Sequence, residues 1–150
     1  MAPQSHTESS SSIPYVAWGI SLLVLLLALF AWGSSYQWHL IGLSTYQVFP
    51  IFGLLAFSLM WSTYAVGISA RYGWMGRQGL GGYYRVVGFA ILAAIMLHPG
   101  LLIWQLWHDG FGLPPESYLQ HYVAPSMRFA ALVGSTCLLI FLAYEFHRWF

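Results

Sequence analysis

Apolar runs of about twenty residues, separated by shorter stretches rich in glycine, aromatic and polar residues, organise this chain. The runs cover residues 13–32, 48–70, 84–107 and 127–146. Each has the length at which a helix, rising 1.5 Å per residue, crosses the roughly 30 Å hydrocarbon layer of a bilayer. Helices are expected because backbone amides in lipid must be satisfied within their own segment, and no short alternating strands of a barrel are present. The pattern therefore predicts an all-α integral membrane protein, a four-helix transmembrane bundle spanning residues 13–150. Tyr15, Trp18, Trp32, Tyr36, Trp38, Tyr72, Trp74, Trp104, Trp107 and Trp149 flank the runs, as aromatic side chains do at the headgroup level.

The connecting segments add detail. Residues 1–12 are serine-rich, carry no apolar periodicity and are predicted to be a disordered tail. This leader has no positive charge and no clear small-residue cleavage site follows, so the first apolar run is expected to be a retained helix rather than a signal peptide. Between the third and fourth runs, "PPESYLQHY" places Leu119, Tyr122 and Val123 at i, i+3 and i+4 behind a proline, the pattern of a short interfacial helix. The glycine-rich "GWMGRQGLGG" lacks the spacing and lysine of a phosphate-binding loop and reads as a turn. Ser58/Ser62, Thr63/Gly67, Ala90/Ala94 and Ala130/Gly134 recur at i, i+4, which lets helix backbones approach closely in lipid.

Composition narrows the function classes. The chain is 59% hydrophobic and only 6% charged, with no lysine, whereas soluble domains carry roughly a quarter charged residues. A net charge of +1 leaves no basic surface for nucleic acid. The single cysteine, Cys137, excludes an intrachain disulfide. Arg71, Arg77 and Arg85 lie between the second and third runs and Arg148 at the end of the fourth. With four crossings these fall on one side, so the positive-inside tendency predicts that both termini are cytoplasmic.

One residue stands out against this apolar background. "AAIMLHPGLL" places His98 inside the third run with Pro99 directly behind it. An ionisable side chain in a membrane segment marks a functional-site hypothesis. At 100° per residue the face bearing His98 also carries Ile95, Ile91, Gly88 and Tyr84. Gly88 would admit a flat or bulky group, and Pro99, which has no N–H, cannot donate to the Ile95 carbonyl and so leaves an acceptor beside the imidazole. The same residues also suit a neutral histidine bonded to a backbone carbonyl or a serine of a neighbouring helix.

"YYRVVGFAILAAIMLHPGLL" resembles the third helix of the ferric reductase-like transmembrane domain family: an arginine-bearing start, a glycine, an aliphatic run, then histidine followed by proline. "ISARYGWM" and "RFAALVGSTCLLIFLAYEFHRWF" resemble that family's second and fourth helices, so the similarity covers roughly Val48 to Phe150. The resemblance implies transmembrane electron transfer through b-type haems, each held between a histidine on the third helix and one on the fifth. His98 falls on the outer ligand position. The inner one, about four turns earlier, falls on Tyr84 or Arg85, so the resemblance implies at most one haem b, with Gly88 on the cofactor face. The family's fifth helix and its flavin and nicotinamide module lie beyond Phe150. Either this is the front of a longer polypeptide, which the ending without a polar tail favours, or a partner chain supplies the rest, or haem binding has been lost. The last case would leave a non-catalytic membrane subunit or scaffold.

The remaining titratable residues suggest other chemistry. His39, His108 and His121, with Asp109 and Glu116, are all predicted on the outer side, where imidazole and carboxylate suit copper, zinc or iron, although their spacing forms no ligand pair. Glu145 is placed to pair with Arg148 or an arginine of the loop. No paired carboxylates and no nucleophile with a base and an orienting carboxylate are apparent, so any enzymatic role would be redox and carried by a cofactor.

Overall fold

The computed structural model describes residues 13–75, 79–118 and 125–149. Four helices follow one another: α1 (Ile13–Ser35), α2 (Thr45–Arg71), α3 (Leu80–His108) and α4 (Pro125–Trp149). The all-α class is as expected, and α1, α2 and α3 are each long and apolar enough to cross a membrane. Within α4, Leu132–Tyr144 is apolar. Residues 116–118 form a helical turn, while Leu119, Tyr122 and Val123 of the expected interfacial helix lie outside the described residues, as do the tail 1–12 and Arg77.

The helices begin and end a few residues beyond their apolar runs, for local reasons. The start of α2 moves from Val48 to Thr45 because Ser44 and Gln47 form an N-terminal S-x-x-Q pair: the Ser44 amide donates to Gln47 Oε1 at 2.9 Å. At the end of α1 the Trp38 amide donates to the Gly33 carbonyl at 3.0 Å, closing the turn with Gln37 and Trp38 at positive φ. Trp38 folds back over Gly33 so closely that a Cβ there would meet the indole at 2.6 Å. α3 starts at Leu80, not Tyr84, because Leu80 and Tyr83 are buried in the core and draw the first turn into the fold.

The chain forms two compact units, Met1–Leu102 and Ile103–Phe150. In the first, Ala17 of α1, Leu59 and Val66 of α2, and Leu80, Tyr83 and Val87 of α3 make the core, with Ile13, Ile20, Leu25 and Ile91 against it. α1 and α2 approach most closely, and their buried positions are small: Ala17, Ser21 and Ala28 on one, Ala56, Ser58 and Ser62 on the other. Ser58 and Ser62 are among the expected small-residue pairs; the α1 partners were not anticipated. Outward-facing leucines such as Leu23 and Leu27 are about 60% exposed, which in water would be an untenable apolar surface and in lipid is the ordinary one. The apolar helices mark a membrane protein.

Three hydroxyls tie α1, α2 and α3 together inside this core. Ser21 Oγ lies 2.8 Å from Tyr83 Oη and 3.0 Å from Ser62 Oγ, and Ser62 donates to the Leu59 carbonyl at 2.9 Å. Each hydroxyl has one proton, so Ser62's use on Leu59 fixes the direction of the chain: Tyr83 donates to Ser21, and Ser21 donates to Ser62. The Trp18 indole meets the Tyr83 ring edge-on at 5.3 Å, adding an aromatic contact to the bond.

In the second unit Leu106, Ser117 and Tyr118 are buried. Gln105 donates to Asp109 at 2.9 Å, and the Phe111 amide returns to the Leu106 carbonyl at the end of α3.

The hydroxyl chain makes a stability prediction. Tyr83→Phe removes one interhelical bond and should lower the unfolding free energy by about 0.5–1 kcal/mol, and Ser21→Ala, which removes two, by about 1–2 kcal/mol. The double variant should lose less than the sum, because Tyr83 has no partner once Ser21 is gone. Unfolding titrations in micelles measure all three.

Candidate functional site

His98 sits on the packed stripe of α3 together with Ile91, one of its expected neighbours. The residues of that stripe are Tyr83, Val87, Ile91, Ala94 and His98, at steps of four, four, three and four. Tyr84 and Gly88, expected on the histidine face, both lie exposed one position round, and a Cβ on Gly88 would meet nothing within 4 Å. The offset has a packing cause: Tyr83 is the ring buried between Ser21 and Trp18, which turns Tyr84 outward so that its hydroxyl passes Gly67 of α2. Arg85 is likewise exposed.

The imidazole is held by α2. Nδ1 of His98 lies 2.9 Å from the Phe49 carbonyl oxygen, and the imidazole and Phe49 rings lie 5.2 Å apart at 41°. The acceptor expected from the break at Pro99, the Ile95 carbonyl, is not the one used. The bond crosses to the neighbouring helix because Gly53, one turn along α2 from Phe49, leaves room for the ring: a Cβ at Gly53 would stand 2.9 Å from both Cε1 and Nδ1. Clearance at this site therefore comes from Gly53 on α2 rather than from Gly88 on α3.

His98 lines an open cleft of about 620 Å³, a volume within the usual range for small-molecule sites. Ala31, Trp32, Ser35 and Tyr36 of α1 form one wall, and Pro50, Gly53, Leu54 and Phe57 of α2 the other. Among the described residues the lining is mostly apolar and aromatic, with Ser35 and His98 as polar members and no carboxylate. The wall is braced at the helix ends: Trp32 Nε1 donates to the Gln47 carbonyl at 3.2 Å, and Trp32 and Tyr36 rings lie 5.3 Å apart. About 22 Å along α3, at 1.5 Å per residue, Tyr83 with its hydroxyl chain occupies the other end of the same stripe.

The remaining candidates stand as follows among the described residues. His39 is exposed in the turn after α1, its amide donating to the Tyr36 carbonyl. His108 Nδ1 lies 3.6 Å from Asp109 Oδ1 and its ring stacks near Trp104 at 5.7 Å. Glu116 is exposed. His121 lies outside the described residues, as do the side chains of Glu145 and Arg148. Among the described residues no three histidine, cysteine or acidic side chains come together to hold a metal ion.

Phe49 and Gly53 were not singled out in the sequence. The signal for Gly53 was a glycine within an otherwise bulky, apolar helix; nothing in the sequence distinguished the Phe49 carbonyl from any other. Compared with family models, curated proteins and solved structures, the chain matched none.

The latch between α3 and α2 predicts its own energetics. His98→Phe keeps a ring against Phe49 and removes the hydrogen bond, at a cost of about 1 kcal/mol. His98→Ala also removes the ring and should cost more. Micelle unfolding curves distinguish the two.

Proposed function

We propose that this chain is a multi-pass membrane domain for electron transfer, of the ferric reductase-like kind, in which His98 holds one b-type haem at the cleft. The observation that carries the reading is the Phe49 carbonyl 2.9 Å from His98 Nδ1. A carbonyl only accepts, so the proton resides on Nδ1 and Nε2 keeps its lone pair. Among the described residues no group hydrogen-bonds Nε2. Imidazoles that ligate metals are oriented in this way, through the other ring nitrogen.

The residues fit a single point of attachment. The ring is fixed in orientation, the cleft is apolar, and a planar group would meet Trp32 and Phe57. Haem supplies one-electron redox chemistry when bound through such an imidazole. The chain's own contributions are the donor nitrogen, the bond to the Phe49 carbonyl with clearance at Gly53, and apolar walls on α1 and α2. The packed stripe carries no second imidazole: its other polar residue is Tyr83, engaged with Ser21. Tyr84 and Arg85, at the inner position, are exposed and offer no equivalent site. A second protein ligand to the iron, and the flavin and nicotinamide cofactors that would feed electrons in, would in this reading come from a partner chain or a further segment of the polypeptide.

In the same reading α4 is a fourth crossing and both termini are cytoplasmic. Arg71 and Arg85 at the facing ends of α2 and α3, with Arg148 at the end of α4, support that orientation. A second reading, a scaffolding subunit without cofactor, is supported by the same latch, since the His98 bond also joins α2 to α3 without any ligand.

Two measurements test these statements. The full chain, produced in membranes with haem supplied, should give a reduced-minus-oxidised b-type spectrum that His98→Ala abolishes and Tyr84→Phe preserves. Absence of haem, with His98→Ala merely destabilised, would select the scaffold. For orientation, an impermeant thiol reagent on intact cells, in a Cys137→Ala background, should label Ile41→Cys and Leu113→Cys but not Trp74→Cys. The reverse pattern would place the termini outside.

A further inference from the structure

Gly53 has a role that its sequence position does not disclose. We propose that Gly53 is a positioning residue which, with the Phe49 carbonyl, locks His98 into one tautomer and one ring orientation. Nε2 is thereby offered to a metal that arrives already coordinated in a planar, apolar macrocycle. The identity of the bound group rests on the electron-transfer reading above; the lock on the imidazole rests on geometry alone.

In a helix, the carbonyl of residue 49 accepts the amide of residue 53. Its second lone pair points sideways, where the side chain of residue 53 would ordinarily crowd any approaching group. With glycine at that position the His98 ring reaches the lone pair, Nδ1 to oxygen at 2.9 Å. A methyl group there would stand 2.9 Å from Cε1 and Nδ1 and 3.3 Å from Cγ, so the whole ring would have to move. Turning toward the open cleft, it would draw Nδ1 away from the Phe49 carbonyl, beside which the Phe49 ring lies at 5.2 Å. The bond does more than hold the ring: donating Nδ1–H to a carbonyl raises the basicity of Nε2 and strengthens it as a ligand.

The class of ligand is taken from that reading, and what accompanies the nitrogen is compatible with it. A bare dication needs several protein donors, commonly four for zinc and six or more for calcium. The cleft provides one imidazole and no carboxylate among Trp32, Pro50, Leu54 and Phe57. A metal whose equatorial positions and charge are already satisfied by a flat macrocycle needs only the axial nitrogen and apolar walls, and both are present.

The test uses the full chain in micelles with ¹⁵N-labelled histidine, the His98 signals being assigned by their loss in His98→Gln. Wild type should show one His98 species, protonated on Nδ1, and Gly53→Ala should show a mixture of tautomers. Haemin, the probe, should bind Gly53→Ala about tenfold more weakly than wild type, a difference of about 1.4 kcal/mol, while zinc chloride should bind neither form at His98. A wild-type His98 protonated on Nε2 overturns the proposal, and so does a Gly53→Ala variant with unchanged tautomer and haemin affinity. If haemin binds neither form but the tautomer shift appears, the lock stands, and the haem reading and the ligand class fall. Should Gly53→Ala not fold, the wild-type tautomer decides for or against the lock, and haemin against zinc on wild type decides the ligand class.

Discussion

Inside a bilayer a polar group has no water to fall back on, and the arrangement of α1, α2 and α3 depends on how their few polar side chains meet that constraint. Ser21, Ser62 and Tyr83 satisfy one another in a single directed chain ending on the Leu59 carbonyl. His98 satisfies its N–H on the Phe49 carbonyl. Lipid tails solvate leucine as well as another helix does, so apolar burial supplies little drive to bring these helices together. Close packing of small residues and these polar joints decide how they meet. The joints lie at the two ends of one stripe on α3, with Val87, Ile91 and Ala94 between them.

The two joints differ in what they leave unused. In the hydroxyl chain each of the three protons has an acceptor, and the site is enclosed by Ala17, Trp18 and Val87, so it is closed to further chemistry. At His98 one ring nitrogen is committed and the other is not, and the ring borders an open cleft. A histidine fully satisfied by its neighbours would be a structural residue; one bonded through a single nitrogen at the edge of an open cleft is equipped for ligation. That asymmetry, rather than the presence of a histidine in a membrane helix, is what gives the site its chemical interest.

Glycine has two distinct uses in this fold. Gly33 accommodates the Trp38 indole in the turn that closes α1, and Gly53 accommodates the His98 imidazole against α2. In each case an aromatic ring occupies the place of a missing side chain and brings a polar or interfacial group to a fixed position. The cleft lies between these arrangements, with Trp32 and Tyr36 on the α1 side and Pro50 and Phe57 on the other.

The sequence by itself determined the class, the membrane environment, the four helices to within a few residues at their ends, and His98 as the residue to examine. Each of these follows from composition and from runs of fixed length, which are properties of local chain chemistry. It put Tyr84 and Ile91 on the histidine face of α3; Ile91 packs there, and of the two tyrosines Tyr83 is the buried one. Tyr83 and Tyr84 are adjacent and chemically alike, and only Ser21, sixty-two residues away in the chain, selects between them. The use of the Phe49 carbonyl, the clearance at Gly53 and the small-residue contact of Ala17 and Ser21 with α2 were decided by tertiary structure. A backbone carbonyl carries no sequence signature, and a glycine shows its purpose only when the ring that fills its place is known.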